Sequence, residues 1–239
     1  MLLRLLFVII AFSPIQKINA GDGKQVKKPA GKGPVVNAQY LYDDRDFNSL
    51  AIYVSTSRLP LGVSIWGFTE VNGSQNMPDD RYNLTRSLSE YRFSFDKIGR
   101  MVNIKGLVAQ IEYNDITPGG GEILRFGMAY RHTIAIPSMG KIGGLDGWLQ
   151  WRANPFETDG DGGQASLIYY IPLHKKAHIN GWIDLNYAEG HSPRWVVGPF
   201  LNLYLHQRIW AVLRYQYNGI DDAFGLDGTG WALGLRADF

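Results

Sequence analysis

Cysteine is absent from the 239 residues, which excludes disulfides, thiol nucleophiles, thiolate metal sites and a lipid anchor on an N-terminal cysteine. An excess of charge is missing too. The formal net charge is +2, and Arg4 and Lys17 account for it, leaving 22 of the 24 basic residues against 22 acidic ones from Gly21 onward. A chain so nearly neutral lacks the basic surface that DNA or RNA requires, so no nucleic-acid partner is expected. Beyond the first residues, no apolar run is free of charges and turn formers for the ~20 residues of a membrane-crossing helix, and no stretch shows a sustained helical period. What is plentiful is aromatic side chains, 13% of residues, in a chain whose length fits one domain.

The N-terminal segment reads as an address. Arg4 gives a positive start, Leu5 to Phe12 an apolar core, Pro14 a break, and Ile18-Asn19-Ala20 a cleavage site, so residues 1–20 are expected to be a signal peptide. Its apolar run is too short to cross a bilayer as a helix. Residues 21–34 (GDGKQVKKPAGKGP) hold almost nothing to bury and are expected to form a flexible basic leader. Residues 35–239 are expected to form one domain.

From residue 35 onward the period is two. Ala177, Ile179, Gly181, Ile183, Leu185 and Tyr187 alternate with His178, Asn180, Trp182, Asp184 and Asn186, which on a strand puts an apolar face opposite a mostly polar one. Ile209 to Tyr217, Leu124 to Arg131, and Trp231 to Phe239 repeat the pattern. Such segments fall at about 35–43, 47–57, 61–72, 88–97, 100–114, 122–136, 144–153, 164–173, 176–188, 194–206, 208–218 and 229–239. Twelve strands, many near the ~9–11 residues that span a membrane at a tilt, predict an all-β, transmembrane, antiparallel up-and-down β-barrel. A soluble sandwich would use strands of ~5–6 residues.

Two further patterns agree. Tyr40, Tyr42, Tyr113, Trp151, Tyr187, Trp195, Trp210, Tyr217, Trp231 and Phe239 lie near strand ends, where interfacial girdles sit. The connections also sort by charge if the chain starts in the periplasm. Outer loops at Asn72 to Ser87, Asn114 to Gly121, Ala153 to Gly163, Glu189 to Pro193 and Gly219 to Gly228 are acidic, whereas inner turns bear Arg58, Lys97, Arg100, Lys141, Lys175, Lys176 and Arg208. Asp44 to Asp46 would be an outer connection that is unusually short. Partners implied by this architecture are outer-membrane lipid and lipopolysaccharide, the location being the outer membrane of a Gram-negative bacterium.

With apolar faces on lipid, the interior would hold Glu90, Arg92, Ser94, Arg125, Arg131, Gln150, Arg152, His178, Asn180, Trp182, Asp184, Asn186, Trp210, Arg214, Gln216 and Arg236, with arginine in excess. A barrel of this size falls between side-chain-filled and wide aqueous kinds, so a narrow polar passage is expected. Glu90, Arg92, Arg125, Arg131, His178, Trp182, Asp184, Trp210, Arg214 and Arg236 are the candidate lining residues. Opposed charges would set a transverse field, and Trp182 and Trp210 would offer stacking faces. The competing role for these charges is structural, pairing with one another across the interior.

Tyr91-Arg92-Phe93-Ser94-Phe95-Asp96-Lys97, Tyr169-Tyr170-Ile171-Pro172-Leu173, Leu213-Arg214-Tyr215 with Asn218-Gly219, and Thr229-Gly230-Trp231 running to Phe239 resemble, in order and spacing, the nucleoside-specific channel-forming (Tsx-type) outer-membrane proteins. That resemblance implies a monomeric barrel of twelve strands passing nucleosides or similar small solutes without energy input, and no cofactor. Arg92 and Arg214 lie in the matched segments. An end in Phe239 resembles the signal by which the barrel assembly machinery recognises its clients.

Other chemistry is thinly supported. His132, His174, His178, His191 and His206 show no metal-ligand spacing. Asp159-Gly160-Asp161-Gly162 opens like a calcium loop, but Tyr170 stands where the closing glutamate belongs. Gly119-Gly120-Gly121 lacks the Gly-Lys-Ser/Thr of a phosphate loop. No enzyme is expected. The alternatives are a barrel hydrolase acting on lipid through a Ser–His pair, and a non-conducting structural barrel.

Overall fold

The computed structural model describes residues 34–75, 84–118, 120–136, 145–220 and 227–239. The expected signal peptide and nearly all of the leader, the outer-loop acids Asp79, Asp80, Asp221 and Asp222, the turn around Lys141, and Gly119 lie outside the described residues.

Twelve strands follow in order: β1 (Val35–Asp43), β2 (Phe47–Leu59), β3 (Val63–Ser74), β4 (Leu84–Phe95), β5 (Leu107–Thr117), β6 (Gly121–Ile136), β7 (Leu145–Glu157), β8 (Gly162–His174), β9 (Ala177–Ala188), β10 (Arg194–His206), β11 (Ile209–Asn218) and β12 (Gly228–Asp238). Each pairs antiparallel with its chain neighbours, and β12 returns to β1, closing an up-and-down barrel. Closure gives every strand two hydrogen-bonding partners and leaves no open sheet edge.

The alternation sorts the two faces as the sequence predicts. Tyr40, Tyr42, Leu50, Ile52, Trp151, Trp195, Leu203, Leu213, Trp231, Leu233 and Leu235 are exposed on the outside, while the polar set turns inward and is covered. Trp210 is the exception among the end-of-strand rings. It turns inward, where its indole donates to Asp238 at 2.9 Å.

Several strand limits differ from those expected, each for a local reason. The extended run placed at 100–114 begins only at Leu107, because a short helix α1 (Lys97–Met101) follows Asp96. Arg100 pairs with Asp96 one turn earlier, and positive φ at Asn103 and Gly106 breaks any extended path. At the opposite end β7 runs on to Glu157. Asn154-Pro155 reads as a loop, yet it forms a bulge: Phe126 faces Phe156 while Met128 faces Ala153. Proline is tolerated at such a site because the ladder bond is already interrupted. The bulge also resets the alternation, turning both Arg152 and Glu157 inward.

The two ends of the barrel carry opposite charge. The end holding the start of β1 and Phe239 shows exposed Lys97, Lys105, Lys175, Lys176 and Arg208 beside one exposed acid, Asp146; the far end shows exposed Asp44, Asp46, Glu122, Asp159, Asp161 and Glu189, with Asp115 half-buried.

Candidate functional site

The interior divides into a charged belt, an apolar cluster beside it, and a ring-lined vestibule toward the terminal end. In the belt, Glu112 of β5 is the hub. Its carboxylate accepts from Arg92 of β4 (2.9 Å), Arg152 of β7 (2.5 Å), Arg125 of β6 (3.2 Å) and Asn114 (3.1 Å). Arg92 also meets Glu90, and Arg125 meets Glu157 at 3.0 Å. Arg152 reaches further, to Glu90 at 3.9 Å and to Asp184 of β9 at 3.5 Å. Alternation makes these contacts possible, because inward side chains on neighbouring strands share one face.

A second centre forms around Arg214 of β11. It contacts Asp43, the last residue of β1, at 3.2 Å and Glu70 of β3 at 3.3 Å. β3 is four strands from β11 around the ring, so the guanidinium bridges the interior rather than one hairpin. Arg45, from the turn after β1, holds Asp43 at 2.8 Å and Gln216 at 3.2 Å. Inward Gly230 makes room for it: a Cβ there would stand 2.1 Å from Arg45 Nε. Phe47 lies under the guanidinium groups of both Arg45 and Arg86. Asn72, its amide turned to donate to Glu70 and accept from Arg86, completes the group.

Beside the second centre sit Leu41, Phe200, Val212 and Ala232, Phe200 and Ala232 each paired with Arg214 across the sheet, with Trp182 packed on Phe200 at 5.5 Å between ring centroids. The Trp182 ring lies over Gly198, where a Cβ would come within 2.5 Å of it. Its face is thus covered by protein, and the stacking surface expected of Trp182 is not offered to a solute. The middle of the section is covered: Glu112, Val212 and Asp43 are 0% exposed, Arg152 2% and Arg214 3%, while the side chains of Arg92, Glu90, Arg125 and Glu157 keep 10–15% of their surface.

Arginine is not in excess in the belt. Arg45, Arg86, Arg92, Arg125, Arg152 and Arg214 face Asp43, Glu70, Glu90, Glu112, Glu157 and Asp184. The sequence reading placed Glu90 and Asp184 inward but missed the other four acids. Asp43 and Glu157 stand at strand ends, whereas Glu70 and Glu112 stand inside strands, and on β5 the alternation of Gln110, Glu112 and Asn114 carries the signal.

The remaining candidates lie toward the terminal end. Trp148, Tyr170, His178, Trp210 and Tyr204, on β7 to β11, form a run of neighbouring rings with centroids 5.0–6.2 Å apart. Arg131 of β6 sits 4.1 Å over Trp148, and Arg236 of β12 sits 5.2 Å over Trp210. Arg236 is tied to Asp238 at 2.9 Å and Asn202 at 3.2 Å. His178 meets rings on both sides, Tyr170 and Trp210. On β2 and β3, Tyr53, Trp66 and Phe68 make a second inward ring group, with Arg92 4.4 Å over Trp66.

A closed antiparallel barrel with an apolar exterior and a charged interior defines the class of fold. Among solved structures, the KdgM porin matches with a TM-score of 0.50 and 12% identity, over 86% of this chain and 99% of that one. The NanC porin matches with a TM-score of 0.52 and 9% identity, over 85% of this chain and 100% of that one. At such identity the likeness is one of fold. No family model matches, and no curated protein matches.

Proposed function

We propose that this protein is an outer-membrane channel for the passive diffusion of small solutes, inserted as a monomer in a bacterial outer membrane, with lipid and lipopolysaccharide against its apolar face. The observation that carries this is the closed ring itself: backbone groups are satisfied between strands, greasy side chains point out and charged ones in, which is what a bilayer demands of strands. That two solved barrels of the same fold bear the name porin supports it. The finer assignment, nucleosides as solutes, rests on the resemblance of the segments around Arg92, Tyr170 and Arg214 and is supported by rings that face the vestibule. Recognition of Phe239 by the barrel assembly machinery belongs to the same proposal.

The burial of the belt favours a second function, a barrel that does not conduct. For passage, the Arg214–Glu70 bridge and the Leu41–Phe200 contact region would have to part. Single-channel recording in planar bilayers, with added nucleosides as blockers, separates the two. Stepwise current reduced by nucleosides supports the channel and its solute, current indifferent to nucleosides removes the solute, and silence at every potential removes the channel. Hydrolysis of phospholipid by the purified protein would instead indicate an enzyme.

A further inference from the structure

Arg131 differs from six other inward arginines. Arg45, Arg92, Arg125, Arg152, Arg214 and Arg236 each lie against a carboxylate, whereas no carboxylate lies within 4.0 Å of Arg131 among the described residues. Its polar contact is Gln150 Oε1 at 3.0 Å, which uses one of five N–H donors. It faces the interior, since its partners across the sheet are Gln150 and, beyond the neighbouring residue pair, the buried Arg152 register. It is nevertheless exposed, so the vestibule at its level is open to water although the belt beyond is closed.

The rings give the vestibule its second property. Trp148, Tyr170, His178, Tyr204 and Trp210 line β7 to β11, and Tyr53, Trp66 and Phe68 line β2 and β3. β3 and β9 are six strands apart in a ring of twelve, which is as far around as two strands can be. The two ring groups therefore stand on opposite walls. Trp66 keeps 36% of its surface exposed, and Trp148, Tyr170, Tyr204 and Trp210 are half-buried. A guanidinium with no carboxylate partner, 4.1 Å over an indole at the edge of a ring-lined cup, matches a solute with a flat ring and one anionic group: the ring stacks, and the anion takes the free N–H donors in pairs. The exposed cations at the terminal rim add a field that draws anions inward.

We propose that this vestibule is a binding site for a small planar-ring anion, with Arg131 holding the anionic group and Trp148 and its neighbouring rings holding the ring. It goes beyond the channel function, because binding needs the vestibule wet from one end only. The test is titration calorimetry on the full-length protein in detergent, with three probes: uridine 5′-monophosphate, which has both features, uridine, which has the ring, and ribose 5-phosphate, which has the anion. The monophosphate is expected to bind about tenfold more tightly than either other probe. Arg131→Gln should bring it down to the level of uridine while leaving uridine unchanged, and Trp148→Ala should weaken both ring-bearing probes. Retained heat-modifiable migration on gels shows that the variants have kept the barrel. Equal binding of the monophosphate and ribose 5-phosphate, no effect of Arg131→Gln, or no binding by any probe would overturn the site. Current without binding would remove the site and keep the channel, and binding without current would do the reverse.

Discussion

Glu112 shows how much one side chain holds in place. It is 0% exposed and takes bonds from three guanidinium groups on three strands. Removing one partner of a buried charge group leaves the others without compensation, at a cost of about 3–5 kcal/mol. Glu112→Gln keeps the volume and removes the charge, so its urea unfolding midpoint should fall well below that of the unaltered barrel. Arg131→Gln, which leaves no carboxylate stranded, should shift that midpoint little. At this scale the sequence was partly legible. Arg92, Arg125 and Arg152 can be turned inward by counting in twos, but their shared acceptor Glu112 lies two residues before Asn114, where an outer loop is expected to start although β5 runs on to Thr117, and pairing between strands is not written in any one strand. Trp182 could likewise be placed inward, while its cover by Phe200 depends on β10.

The strands themselves were the most legible level, because the alternation needs only local residues. β9 and β12 follow their patterns almost residue for residue, whereas β4 starts at Leu84 and not at 88, β5 is shifted at both ends from 100–114 to Leu107–Thr117, and β7 runs on to Glu157; a positive φ at Gly106 and the bulge at Asn154-Pro155 decide the start of β5 and the end of β7. The two faces of a strand should respond differently to the same substitution. Leu233 is 63% exposed on the outer face at the middle of β12, and Leu233→Arg should lower folding into lipid vesicles by about 2–4 kcal/mol, the cost of arginine at the bilayer midplane. Arginine at neighbouring Thr229, close to the strand end, should cost far less. Folding yield in vesicles of one composition measures both.

For the whole molecule, the opposite charge of the two ends and the closed belt between them set the expected electrical behaviour. Unaltered protein should show low conductance, and Arg214→Ala, which removes the bridge between β11 and both β1 and β3, should raise it severalfold in planar bilayers. An unchanged current would mean that the belt is not the narrowest section. Current should also be larger in one direction than in the other at low salt, with the asymmetry fading as salt is raised toward 1 M, where screening shortens to about 3 Å. Current at equal and opposite potentials in symmetric salt, recorded at two ionic strengths, tests this. Loop charge could be sorted from the sequence alone, but the closed section could not, since it comes from side chains on strands far apart in the chain meeting in the middle.

The seam between β1 and β12 has a consequence for biogenesis. Phe239 donates its amide to the carbonyl of Val36 at 2.9 Å, so β1 finds its second neighbour only around β12, at the far end of the strand order. A nascent chain therefore has no way to shut the ring before β12 is made, and one lacking that strand would be left with an edge seeking a mate, which makes it a client for proteolysis or for aggregation with its own kind.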